Sequence, residues 1–238
     1  MPVRNRVQTG VWDNDDLSNL SIFIQETCGI KMPPSKRTML ESRLQRRLRA
    51  LGMKSFEEYC KYLFSDEGKK SELPHCIDAV TTNKTDFFRE PFHFEYLTET
   101  ALPRLITSRS PVLQRRQYTV WSAGCSTGEE PYTLAMVLHE FAETRPGFDY
   151  SILATDISAR VLEKARLGVY EKDSVSTIPD AMKTKYLRRS KDHRKGLVRI
   201  VPWLREKVTF QRLNFMDNYF SMRDKVDVIF WMSSFAGM

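Results

Sequence analysis

One stretch limits the folds open to this chain more than any other: Tyr118-Thr119-Val120-Trp121-Ser122-Ala123-Gly124-Cys125-Ser126-Thr127-Gly128-Glu129-Glu130-Pro131-Tyr132. An apolar run leads into small residues, and a helical pattern follows at Leu134, Met136, Val137, Leu138 and Phe141. The order reads as buried strand, tight turn and helix start. Small residues let a ligand approach the backbone closely, and glycine permits turns that other residues resist. Pro131 suits the first helical turn, where a missing N–H costs nothing. Glu129 and Glu130 fall where the helix dipole favours negative charge. Two carboxylates stand where a nucleotide fold would receive a phosphate. The expected ligand therefore has an adenosine end and a cationic end, not a diphosphate.

Downstream the pattern repeats. Tyr150 to Asp156 reads as a second strand, and a helix with Val161, Leu162 and Ala165 ends near Gly168. Strand, helix and strand at this spacing imply a parallel sheet with right-handed crossovers. Asp156 closes the second strand, where doubly wound folds bind ligands and a carboxylate accepts bonds from ribose hydroxyls. The alternative role is a helix cap, which Ser158 can also fill. Residues 169–195 are polar and basic; a hairpin strand is expected at 196–201, and further strands at 208–214 and 226–230. Val226 to Phe230 is nearly continuously apolar, as buried parallel strands are.

Upstream the signals are helical. A tail is expected over residues 1–15, and a helix from Asp16 carries Leu17, Leu20, Phe23 and Ile24 and stops at Gly29. A second helix from Lys36 to Leu51, stopped at Gly52, has Met39, Leu40, Leu44, Leu48 and Leu51 on one stripe. Lys36, Arg37, Arg43, Arg46, Arg47 and Arg49 load its remaining surface against one acid, Glu41. Such a face is either solvated or made for an anionic partner, and its lopsidedness favours the partner. Ser55 and Glu58 form a capping box for a third helix, Ser65 to Gly68 breaks it, and a fourth runs from Glu72 to Val80. A polar connector with two aromatics follows, Thr81 to Glu90, in which Asn83, Thr85 and Arg89 converge if the segment turns. Phe92 to Ile106 reads as one amphipathic helix.

The net charge of +7 implies an acidic partner, and its place on one helix says more than its total. No apolar run approaches the roughly 20 residues of a membrane span, and Met1 to Trp12 lacks the apolar core of a signal peptide. A cytoplasmic protein is expected. Cys28, Cys60, Cys76 and Cys125 lack metal-ligand spacing, so free thiols and no metal site are expected. Cys125 reads as a small filler, since no histidine lies near it in sequence.

Taken in order, these blocks resemble the S-adenosylmethionine-dependent methyltransferases of bacterial chemotaxis receptors. The likeness runs from about residue 16 to Phe230. It rests on the Arg-rich helix, Thr82-Asn83-Lys84-Thr85-Asp86-Phe87-Phe88-Arg89, Ser122 to Tyr132, Ala154-Thr155-Asp156-Ile157, Gly196-Leu197-Val198-Arg199 and Leu213-Asn214. The resemblance implies an α/β protein. An N-terminal all-helical receptor-recognition domain (16–80) is joined by a linker and helix (81–117) to a doubly wound, Rossmann-like methyltransferase domain (118–238). A small antiparallel β-subdomain is implied near 185–205. The implied reaction is methyl transfer from S-adenosylmethionine to receptor glutamates, leaving S-adenosylhomocysteine. Implied cofactor contacts are Asn83, Thr85, Arg89, Gly124, one of the pair Glu129 and Glu130, Asp156, Asn214 and Phe215, with Arg89 also the catalytic candidate. Arg43, Arg46, Arg47 and Arg49 are implied to bind the acidic methylation region of a receptor coiled coil. The β-subdomain is implied to take a receptor-tail peptide in some members. A monomer is expected, without nucleic acid and without membrane insertion. A glutamate substrate is ionised at neutral pH, so no general base is needed. A nucleic-acid methyltransferase fits less well, because the cations lie away from the cofactor block. A nicotinamide enzyme lacks its glycine fingerprint, and a non-catalytic receptor-binding module is the remaining alternative.

The sequence departs from the family after Phe230. The family continues with a Cys-Arg-Asn-Val block and further strands, whereas this chain reads Trp231-Met232-Ser233-Ser234-Phe235-Ala236-Gly237-Met238. The family's cofactor asparagine would fall at Ser233 and its active-site tyrosine near Gly237. Permitted codons for Asp227 to Met238 can be chosen so that a shifted frame reads Asp-Val-Ile-Phe-Cys-Arg-Asn. The expectation is a C-terminally truncated member, shortened by a small out-of-frame duplication. It would have an open apolar edge at 226–230 and weak or no activity. Sequencing the gene tests this: a family-like shifted frame downstream of the Met238 codon is expected, and its absence refutes the duplication.

Overall fold

The computed structural model describes residues 14–108, 117–190, 196–220 and 225–232. The expected tail up to residue 13, the loop at 191–195 and the departing segment at 233–238 lie outside the described residues. The chain divides into two compact units. The first holds residues up to Thr82 together with Asn214–Asn218; the second holds Asn83–Leu213 and the residues from Tyr219 onward.

The first unit is helical: α1 (Asn14–Cys28), α2 (Arg37–Leu51), α3 (Phe56–Phe64), α4 (Asp66–Ser71) and α5 (Leu73–Val80). Helix α1 opens at Asn14, ahead of the expected Asp16. The apolar stripes meet in a core of Leu20, Ile24, Leu40, Leu44, Leu48, Tyr59, Leu63 and Val80. Ser55 caps α3, its hydroxyl accepting from Glu58 N–H at 3.1 Å. The return bond of the box runs one residue earlier than usual, from Lys54 N–H to the Glu58 carboxylate. The third helix breaks at Ser65, as expected, but the residues after it start a further short helix that the sequence reading did not include. Ser65 ends α3 and also caps α4, with its hydroxyl accepting from Gly68 N–H.

Two of the arginines expected to face a partner are used inside this unit. Arg47 makes a two-pronged ion pair with Glu72, at 2.9 and 2.7 Å, and Tyr59 donates to the same carboxylate at 3.0 Å. Glu72 is 2% exposed, so the guanidinium neutralises a charge that the helices exclude from water. Arg43 donates to the carbonyls of Ala79, Val80 and Thr81 at the end of α5, where the helix dipole is negative. Arg37 pairs with Glu41 one turn on. Lys36, Arg46 and Arg49 stand exposed.

The second unit is α/β. Its main sheet among the described residues has four parallel strands in the order β6 (Val208–Arg212), β2 (Tyr150–Asp156), β1 (Tyr118–Ala123), β7 (Val228–Phe230). Helix α8 (Glu129–Glu143) links β1 to β2, and α9 (Ala159–Leu167) follows β2. β2 is observed at the bounds expected for it, and β1 forms from the apolar run that opens at Tyr118. β7 is shorter than expected, and Ile229 is 61% exposed where a fully buried strand was read. It occupies the sheet's edge, so one of its flanks has no described neighbour to cover it.

The helix read from Phe92 to Ile106 is interrupted. α6 (Phe92–Tyr96) passes through a π-helical turn at Leu97–Ala101 into α7 (Leu102–Ser108). Pro103 has no N–H to bond the preceding turn, which favours such a widening. The antiparallel sheet also starts earlier than expected, with order β3 (Val169–Glu171), β5 (Leu197–Ile200), β4 (Leu187–Arg189). α10 (Asp180–Tyr186) leads into β4, and α11 (Pro202–Arg205) follows β5. β3 is too short for its alternation to register in sequence. Lys185 of α10 bridges Glu140 and Glu143 of α8 at 3.0 and 2.5 Å, tying the helix that leads into β4 to the helix between β1 and β2.

The division of the arginines has a measurable consequence. Arg47→Ala leaves Glu72 buried without its cation and is expected to lower stability by about 3–5 kcal/mol. Arg49→Ala is expected to change it by less than about 0.5 kcal/mol. Urea denaturation of the two variants beside the parent checks both values.

Candidate cofactor site

The chain passes from β1 through α8 to β2 on one side, while β7 lies on the other side of β1, so the C-terminal ends of β1 and its neighbours form the crevice where doubly wound folds bind ligands. The chain leaves β1 through a turn held to β2, with the N–H groups of Gly124 and Cys125 both donating to the Thr155 carbonyl. Gly124 has φ +80°, and a Cβ added there would meet nothing within 4 Å. The left-handed backbone calls for glycine, and the open space beyond it leaves room for a ligand. Gly128, at φ +99°, is crowded instead, since a Cβ would lie 2.8 Å from the Tyr170 hydroxyl.

Three carboxylates gather at this edge. Asp156 accepts from Ser126 N–H at 2.8 Å and from Ser158 N–H at 2.9 Å. Ser158 itself caps α9 through Val161 N–H, so the capping role falls to the serine. Glu129 accepts from the Thr127 hydroxyl, and Glu130 from the Ser122 hydroxyl, both at 2.6 Å. Glu129 is 8% and Glu130 5% exposed. Among the described residues neither has a salt-bridge partner within 4 Å.

Burial decides their ionisation. It raises the Glu129 carboxyl, and the bond from Thr127 opposes the rise. It pushes Glu130 up to about 7, against the lowering effect of the Ser122 hydroxyl and the Met232 backbone. Ser122 is the last residue but one of β1 and Met232 lies just past β7, so Glu130 sits over the boundary between those strands. Cys125 is buried and its thiol is held well above its usual range by that burial, with Asp156 and Glu130 adding to the effect. It packs as a filler, as its sequence context indicates.

The connector folds onto this edge. The Ser126 hydroxyl donates to the Asn83 carbonyl at 3.1 Å, and Phe88 N–H donates to the Thr133 hydroxyl at 3.2 Å. Asp86 lies close enough to Glu129 to act on its charge. Arg89 curls back to the Lys84 carbonyl at 3.4 Å, so the segment does turn. Thr85 is half-buried within it. Among the described residues Phe88, Glu90 and Ser126 are the non-glycine positions with positive φ, near +50°. Each such residue costs on the order of 1–2 kcal/mol, and strain of this kind gathers at functional sites.

Asn83, Thr85, Arg89, Gly124, Glu129, Glu130 and Asp156 thus all belong to the second unit, and bonded contacts link their segments. Asn214 and Phe215 are grouped with the helical unit. There the Asn214 amide donates to the Thr27 carbonyl at 2.7 Å. Ser122, Ser126 and Thr133 escaped the sequence reading. A serine near the end of an apolar run, eight residues before a glutamate, was the available sign of the first.

Two family models cover the chain: "CheR methyltransferase, all-alpha domain" over residues 15–81 and "CheR methyltransferase, SAM binding domain" over residues 83–233. The chain belongs to the CheR methyltransferase family. Proteins named chemotaxis protein methyltransferase resemble it along most of its length. That of Borreliella burgdorferi is 41% identical over 91% of this chain and 75% of its own length. That of Salmonella typhimurium is 37% identical over 87% of this chain and 68% of its own. That of Escherichia coli is 36% identical over 89% and 70%. The α/β fold with its helical N-terminal part and a SAM-binding domain is therefore that of the family. No helix among the described residues is long and apolar enough to cross a membrane.

The elevated Glu130 fixes a pH response. An unfolded glutamate loses its proton near pH 4.3, whereas folded Glu130 keeps it until about 7. Between these values the folded state binds more protons, so this group's stabilising contribution falls as pH rises. Thermal melting of the ligand-free protein from pH 5 to 8 is expected to show that fall, and Glu130→Gln to flatten it.

Proposed function

We propose that this protein transfers a methyl group from S-adenosylmethionine to glutamate side chains of chemotaxis receptors. The observation that carries the reading is Glu130, a buried carboxylate over the β1–β7 boundary whose partners are a hydroxyl and a backbone N–H. A buried carboxylate without a cation is costly. A ligand bearing an ammonium group offsets that cost.

The residues present suit S-adenosylmethionine on further grounds. The open left-handed glycine at 124 admits close approach to the backbone. Asp156 is aimed by two backbone N–H groups, and a carboxylate has about four acceptor positions. When bound, the cofactor supplies an electrophilic methyl group on a positively charged sulfur. Glu130 holds the ammonium end, and Asp156 accepts from the ribose hydroxyls. Asn83 and Thr85 flank the turn on the connector.

Arg89 presents a forked donor from the same connector and holds a carboxylate in a fixed plane. A receptor glutamate arrives ionised, so the protein's task is placement rather than proton removal; placement of this kind is worth roughly 7–11 kcal/mol at best. Arg46 and Arg49 on α2, with Lys36 just before it, meet the acidic receptor helix, while Arg43 and Arg47 shape the unit that carries them. An edge of the antiparallel sheet offers a strand-like site for a receptor-tail peptide.

Calorimetry with S-adenosylhomocysteine tests the cofactor half. One-to-one binding is expected, weakened roughly ten- to a hundredfold in Glu130→Gln, the loss expected for a charged hydrogen bond. Incubation with receptor membranes and radiolabelled S-adenosylmethionine tests the rest, with base-labile label on the receptor as the expected product. No binding overturns the reading. Binding without transfer leaves a receptor-binding module.

A further inference from the structure

The small antiparallel sheet grips the cofactor edge at a point the proposed reaction does not require. Tyr170, the middle residue of β3, is 7% exposed. Its hydroxyl donates to the Thr127 carbonyl at 2.9 Å, inside the turn between β1 and α8. Thr127 in turn donates to Glu129. The same ring packs edge-on against Phe87 of the connector, with centroids 4.9 Å apart. A second tie lies beside it, from the Thr177 hydroxyl to the Phe87 carbonyl at 2.8 Å. On its other side the Tyr170 hydroxyl fills the space that a side chain at position 128 would need.

We propose that Tyr170 is a positioning residue for the cofactor cradle, through which the β3–β5–β4 sheet sets the backbone of the turn and of the connector. The argument is one of strain. Phe88, Glu90 and Ser126 are held at positive φ, and strained backbone persists only where its surroundings over-determine it. The connector is fixed by Ser126 at Asn83, by Thr133 at Phe88 and by Thr177 at Phe87. Tyr170 touches both strained segments at once, with its ring on the connector and its hydroxyl on the turn. Loss of the hydroxyl leaves the ring packing in place and frees the turn alone. A shift of the antiparallel sheet, by a bound peptide for example, is transmitted to the cradle by the same bond.

The inference rests on reading this turn as the cofactor cradle, and the experiment separates the two. Tyr170→Phe is compared with Tyr186→Phe. Tyr186 is also fully buried beside the antiparallel sheet, and its hydroxyl bonds Glu140 and His139 instead. Hydrogen exchange of the ligand-free protein is followed for residues 124–130, and affinity for S-adenosylhomocysteine is measured by calorimetry. Tyr170→Phe is expected to speed exchange in that segment about fivefold and to raise the Kd about fivefold, the effect of one ordinary hydrogen bond. Tyr186→Phe is expected to change neither by more than about twofold. Unchanged exchange in Tyr170→Phe, equal effects of both variants, or faster exchange with unchanged Kd would each overturn the inference. Faster exchange in Tyr170→Phe alone, in a parent protein that does not bind S-adenosylhomocysteine, upholds the positioning role and defeats the cofactor reading.

Discussion

The carboxylate of Asp156 is the point on which the second unit's functional edge depends. It ends β2, yet one oxygen holds the turn after β1 through Ser126 N–H and the other holds the entry to α9 through Ser158 N–H. Ser126 adopts a left-handed conformation that a serine resists, and its hydroxyl reaches on to the Asn83 carbonyl. One acceptor at a strand end thus organises turn, helix start and connector. Bonds of this charged kind are worth roughly 1.5–3 kcal/mol each, enough to offset the strain they impose. The site's geometry is an outcome of that local balance.

Charge is handled differently in the two units. In the helical unit the buried carboxylate Glu72 has its own cation, Arg47, and a hydroxyl from Tyr59. The charge is settled internally, and the arrangement is structural. In the α/β unit Glu130 is equally removed from water but bonded to a hydroxyl and a backbone group, and its carboxyl is pushed up to about 7. The contrast marks the first carboxylate as scaffold and makes the second the candidate for a ligand. The same logic divides α2. A uniform run of arginines in sequence becomes two embedded side chains, Arg43 and Arg47, and two exposed ones, Arg46 and Arg49.

Much of this was legible from local pattern. β1, α8 and β2 follow from an apolar run, a small-residue turn and helical spacing, because buried parallel strands and amphipathic helices write their periods into the chain. Elements shaped by a remote neighbour were not legible. The three-residue β3 exists because β5 pairs with it across nearly thirty residues. The turn of α4 depends on Ser65 serving two helices. The π-helical turn before Leu102 leaves no periodic mark beyond Pro103.

The sequence by itself determined the classes of chemistry: a small-residue turn with two glutamates, an aspartate at the next strand end, and a helix overloaded with arginine. Residue type and short-range spacing carry that information, since helices and strands place near neighbours predictably. Only the tertiary structure decided which of these groups work together. It bonded Asn83 to the turn and placed Asn214 with the helical unit, and it assigned Arg47 to a buried acid. It also put Tyr170 against a turn more than forty residues away. Partners of that kind are chosen by desolvation and hydrogen-bond satisfaction across long loops, and neither quantity is written in the spacing of residues along the chain.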